Sequence, residues 1–157
     1  MAGLLFKIPV TQWVRGTIQK MDKNATYDIG SWCDFWYETY EELGGNSIES
    51  GTKSCPKHAA YGLWRLGRIK NTAIPYQEGL LAETIRKYGK NTAYAELALE
   101  LLEQQSIEIN ARSLWSQVQA LYRKKLKDEP AKSQQGAITI ALTLFDEDQI
   151  VTNDKDS

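Results

Sequence analysis

Two stretches of this chain repeat one arrangement of side chains at a fixed offset, and that constrains the fold more than any other feature. In the first, Trp32, Phe35 and Trp36 share a helical face, a Gly-rich turn follows, and Lys53-Ser54 opens an apolar helix through Ala59, Ala60 and Leu63. In the second, Leu114, Trp115 and Val118 lead through a charged turn to Lys132-Ser133 and a helix through Ala137, Ile138 and Leu142. The two Lys-Ser pairs stand 79 positions apart, and Leu63 and Leu142 keep that offset. Self-similarity of this kind is how internal duplication shows in a sequence, with two unrelated amphipathic hairpins as the competing reading. We expect an all-α fold of six to seven short helices in two pseudo-repeated halves, about 10-75 and 83-151. These pack as a single domain over 1-151, and 152-157 form a polar tail that frays.

Period-2 alternation, the mark of a half-buried strand, is nearly absent, whereas helical spacing recurs throughout. Thr11 is the expected cap of a first helix carrying Trp13, Val14 and Ile18; a polar loop from Lys20 to Gly30 then ends at a Ser31 cap. The next helix stops at Gly44-Gly45-Asn46. Ser54 caps the third, with Pro56 in its first turn, where a missing N–H costs nothing, and Gly67 ends it. Leu80, Leu81 and Ile85 mark a further helix before a break at Gly89-Lys90-Asn91. Tyr94, Leu97, Ala98, Leu101 and Leu102 give the cleanest amphipathic stripe. The last helix, with Ile138, Ile140, Ala141, Leu142, Leu144 and Phe145, is apolar nearly all round, which places it centrally, with Trp32, Trp36 and Trp115 also near the core.

A chain of 157 residues is long enough to bury its own core without disulfide or metal support. No apolar run approaches the roughly 20 residues that a bilayer span needs, and no membrane partner is expected. The N-terminal stretch Met1 to Val10 lacks a basic n-region and a cleavage site, so it reads as the ordered start of the domain. With 19 basic and 20 acidic residues, nothing global steers the chain toward nucleic acid. Two cysteines, Cys33 and Cys55, are too few for a disulfide framework, and a cytoplasmic location is the default.

Cys55 lies in the first turn of a helix, where the dipole favours a thiolate, and Lys57 and His58 follow it. That makes Cys55, with His58, a weak candidate for a nucleophilic or redox site. Against this, no Asp or Asn is placed to orient His58, and the offset-equivalent of Cys55 is Gln134. One His and two scattered Cys give no metal-ligand spacing, so no metal is expected. At about 100° per residue, Lys57, Tyr61, Trp64, Arg65 and Arg68 fall in one sector of the third helix, opposite Ala59, Leu63 and Leu66. An exposed face of that kind contacts phosphates and stacks on bases, or anchors a protein interface. The alternative is that neighbouring helices cover the two rings. The basic run Arg123, Lys124, Lys125 and Lys127 reads as a solvated helix end complementing the dipole. No phosphate loop, nucleophile elbow, paired-carboxylate motif or HExxH is present, and no cofactor is expected.

The segment Lys53-Ser54-Cys55-Pro56-Lys57 running into Ala59-Ala60-Tyr61-Gly62-Leu63, with Gly67, Ile69 and Ile74-Pro75 behind it, resembles an uncharacterised bacterial domain family. Lys90-Asn91 before Tyr94-Ala95, then Leu114-Trp115, Gln135, Ala141-Leu142 and Ile150 resemble that family's second segment. The likeness covers roughly residues 10 to 151 and departs from the pattern at Tyr61, where Leu is usual, and at Phe145, where Trp is usual. It implies a helical domain and brings no reaction or ligand.

Taken together, these readings favour a non-catalytic interaction module that binds a protein partner through the Lys57, Tyr61, Trp64, Arg65 and Arg68 face. The same face binding nucleic acid, and an enzyme with a Cys55 thiolate, are the alternatives.

Overall fold

The computed structural model describes residues 3–104, 109–133 and 136–152. Two two-residue strands, β1 (Leu4–Leu5) and β2 (Ile8–Pro9), form an antiparallel hairpin. Eight helices follow among the described residues: α1 (Val10–Lys23), α2 (Ile29–Glu42), the single turn α3 (Ile48–Gly51), α4 (Ser54–Arg65), α5 (Leu81–Tyr88), α6 (Lys90–Gln104), α7 (Ala111–Leu126) and α8 (Ala137–Asp146). Leaving aside the one-turn α3, the architecture is the expected all-α domain. The hairpin was not foreseen because two residues a side are too few to show alternation. It turns through Phe6 and Lys7, both at positive φ, as tight hairpin turns require. No helix among the described residues is long and apolar enough to cross a membrane. Of the expected polar tail, only Thr152 lies within the described residues.

Several helix starts differ from expectation by one to three residues, each for a local reason. Helix α1 begins behind Pro9 with no side-chain cap, and the Thr11 hydroxyl instead donates to the Glu147 carboxylate. Asp28, rather than Ser31, caps α2, its carboxylate accepting the Ser31 N–H at 2.9 Å. Ser54 is already helical, and Lys53 stands at the cap without a side-chain hydrogen bond. The stops follow the expected chemistry. After α4, Gly67 takes φ +74° while the Arg68 N–H reaches back to the Leu63 carbonyl, closing the helix as glycine caps do.

Helix α8 is central as expected, packing on α1, α4, α6 and α7. Helices α4 and α6 approach closely because Gly62 faces Thr92. A methyl on Gly62 would collide with the Thr92 side chain, whose hydroxyl donates to the His58 carbonyl at 3.1 Å. The chain closes on itself when Ile150 bridges Ile69, and the Val151 N–H donates to the Arg68 carbonyl at 2.7 Å.

Trp32, Trp36 and Trp115 are all buried, as expected. The packing does not establish the pseudo-repeat, however, because offset-equivalent positions play different parts. Trp36, which stands 79 positions before Trp115, stacks 4.3 Å from Trp13, and its indole N–H has no acceptor among the described residues. Trp115 instead donates to the Lys132 carbonyl at 3.4 Å, while it is Trp32 that donates into the start of α4, at Lys57.

A buried helix face and an acidic cleft

The expected open face on α4 is closed. Trp64 has no exposed surface, Tyr61 is buried, and Arg68 is 2% exposed. The covering element is the loop before α2, which reads as a plain polar connector in the sequence. Its Tyr27 stacks on Trp64 at 5.8 Å, and its Tyr27 carbonyl accepts from Tyr61 Oη at 2.6 Å and Arg65 Nη1 at 2.9 Å. From beneath, Trp32 stacks on Trp64 at 5.3 Å. Lys57 and Arg65 are half-buried, and the Lys57 ammonium reaches the Thr52 carbonyl at 3.4 Å. Tyr61, Trp64 and Arg65 meet in internal contacts, whereas Arg68 lies beyond the end of α4 and turns to the carboxylates of α6. The available signal was composition: Ala59, Ala60, Gly62 and Leu63 are small or apolar residues that let neighbouring helices approach α4 closely.

Cys55 and His58 sit half-buried near the start of α4, on the side facing Asn91 and Thr92 of α6. Burial pushes the Cys55 thiol above its ordinary value, with Lys53 and a hydrogen bond to Asn91 pulling weakly the other way. Burial, then the Lys57 charge, push His58 down, so it is a neutral imidazole at physiological pH. This is the environment of a structural thiol, because a reactive one needs the thiolate favoured. Gln134, its offset-equivalent, lies outside the described residues. No group of three or more His, Cys, Asp or Glu among the described residues is arranged to hold a metal ion.

Of the residues expected to form a site, only Arg68 lines a concavity among the described residues. A cleft of about 520 Å³ opens between the segment after α4, the start of α5 and one face of α6. Leu66 and Leu97 are buried at its lining, Leu81 is partly buried, and Leu80 stands at the rim with 73% of its surface exposed. Glu96, Glu100 and Glu103 form its α6 wall, with Glu78 on the loop. Arg68 is fixed within it, with Nε 3.0 Å from Glu96, Nη2 3.1 Å from Glu103 and Nη1 2.5 Å from the Val151 carbonyl. The Tyr76 ring covers the guanidinium at 5.1 Å, a cation–π arrangement. Lys125 of α7 pairs with Glu100 at 3.4 Å. Burial raises the Glu96 carboxyl above its ordinary value, a larger effect than the downward pull of Arg68. One signal was available: Glu96, Glu100 and Glu103 are spaced by four and three, which places them in one row on a helix.

Among the described residues the cleft offers apolar surface beside carboxylates, one of them, Glu96, raised by burial. The basic run at the end of α7 is exposed as expected, and Arg123 pairs with Glu129 at 3.2 Å.

No curated protein and no solved structure matches the chain. Its sequence matches a family of unknown function, DUF6979, over residues 12–151, nearly the full length and the same span as the resemblance read from its motifs, and the chain belongs to that family.

Proposed function

We propose that this protein is a non-catalytic helical interaction module, cytoplasmic and bacterial, that binds a protein partner in the cleft beside α6 and not on the face of α4. The observation that carries this reading is Leu80, a leucine 73% exposed at the rim of a cleft lined by further leucines. A single exposed leucine is ordinary, but one at the edge of a concavity that joins apolar and polar surface has the composition of a recognition site. The two free thiols, Cys33 and Cys55, fit a reducing compartment. Burial of Tyr61 and Trp64 removes the stacking surface on which a nucleic-acid reading depends, and the raised Cys55 thiol weighs against a thiolate enzyme.

The test is a photo-crosslinking residue placed at position 80 in cells, with position 124 on the exposed side of α7 as the comparison. A discrete protein adduct through position 80 and none through 124 is the expected result. Equal labelling from both positions, or none from position 80, overturns the assignment of the cleft.

A further inference from the structure

We infer that the cleft selects a basic amphipathic segment of its partner, one carrying Lys or Arg beside leucine-type residues. This rests on the cleft being the docking site. Charge is the first reason. Four carboxylates, Glu78, Glu96, Glu100 and Glu103, line the cleft against two cations, Arg68 and Lys125, a net charge of −2 on a chain whose total is −1. The lining is therefore more acidic than the rest of the molecule taken together. The three glutamates of α6 run along about 10 Å of helix at 1.5 Å per residue, a row rather than a point. A row suits successive basic side chains of a segment lying alongside α6.

The second reason is that the lining joins apolar and acidic surface. Leu66, Leu81 and Leu97 lie beside the carboxylates, with Leu80 at the rim. Lys and Arg need both, an apolar surface for the aliphatic stem and acceptors for the charged head. The molecule already holds one guanidinium there: Arg68 lies between Glu96 and Glu103 under the Tyr76 ring. An acidic segment would meet a lining of net charge −2, and like-charge juxtaposition at an interface is unfavourable. An incoming cation would also relieve Glu96, whose ionised form burial disfavours.

The test titrates the full chain into a short fluorescein-labelled amphipathic peptide of leucine and lysine, and into its counterpart with every lysine replaced by glutamate. The lysine peptide should bind, and bind more weakly as ionic strength rises. Glu100→Lys should raise its Kd by about tenfold, a difference of about 1.4 kcal/mol, and Leu80→Glu should act in the same direction. Asp34→Lys makes the same charge change on exposed α2, outside the cleft, and should leave Kd within about twofold, the ordinary effect of a remote surface charge. Glu100→Gln gives an intermediate loss and covers any folding defect of the lysine variant. Binding of the glutamate peptide, no binding of the lysine peptide, or equal loss in Asp34→Lys overturns the inference. If position 80 crosslinks a partner that docks through an acidic segment, this inference fails while the cleft remains the site; if position 80 captures nothing, the site itself is wrong.

Discussion

In the stack formed by Trp13, Trp36, Trp32 and Trp64, successive rings lie 4.3, 5.9 and 5.3 Å apart, and two of the four indole N–H groups are buried without an acceptor. In the cleft, Arg68 is as deeply buried, yet its guanidinium reaches two carboxylates and a carbonyl. Each unpaired N–H costs about 1–3 kcal/mol, and the stack offsets this through burial of the large rings and aromatic pairs that add about 0.5–1.5 kcal/mol each. The cleft could not do so with a charge, whose desolvation is far more costly. The stack is closed within the core, while the cleft is polar and partly open.

The largest expected effect tests the stack. Trp32→Ala removes a ring stacked on two neighbours and a hydrogen bond to Lys57, and should lower the unfolding free energy by about 3–5 kcal/mol in urea denaturation followed by circular dichroism. A loss below about 1 kcal/mol, the ordinary effect of a surface change, would mean that the stack is not the rigid half of the molecule. Next comes Arg68→Ala, which leaves Glu96 and Glu103 facing each other without their shared cation and should cost about 3 kcal/mol. Combining Arg68→Met with Glu96→Gln and Glu103→Gln should recover much of that loss. If it does not, the cleft depends on packing more than on charge.

A smaller effect separates the two regions by the sign of their pH dependence. In the cleft, burial raises the folded-state value of Glu96, so its contribution is present below the ordinary glutamate range and is lost as pH rises through the raised value. Wild type should lose stability over that interval, and Glu96→Gln should not, as read from urea midpoints along a pH series. At the start of α2, hydrogen bonds from Thr26 and Ser31 hold Asp28 down at about 2, so its contribution is present above the ordinary aspartate range and is lost as pH falls toward that value. This is the smallest effect, because Asp28 is exposed. Asp28→Asn keeps an acceptor at the cap and should remove the acidic loss, and an unchanged acid profile would show that the cap does not titrate in this range.

How far each region can be read from sequence follows from how far apart its parts lie in the chain. The stack is built from local spacing: Trp32 and Trp36 are one turn apart and share a face before any tertiary contact exists. What spacing could not show is that Tyr27 folds back over Trp64, because loop geometry leaves no periodic trace. The same gap explains the misplaced α4 face. A helical wheel puts Tyr61 and Trp64 on one face but does not say what covers them, and it does not reach Arg68, which follows the end of α4 and the positive φ of Gly67. The cleft joins Arg68, Glu103 and Val151, positions without any short-range relation. Only the row Glu96, Glu100 and Glu103 was written locally.

The pairing of the last described segment with the stretch after α4 also orders events in time. Gln149 accepts from Arg15 Nε at 2.9 Å across 134 positions, and Val151 meets Arg68 across 83. Closing such long loops is entropically slow beside the local contacts of helix pairs. A growing chain therefore completes the tryptophan stack while the cleft still lacks its final carbonyl. Pulsed hydrogen exchange during refolding should show the amides of α1 and α2 protected before the Val151 N–H. A cleft that assembles last takes its final shape only when the molecule around it is whole.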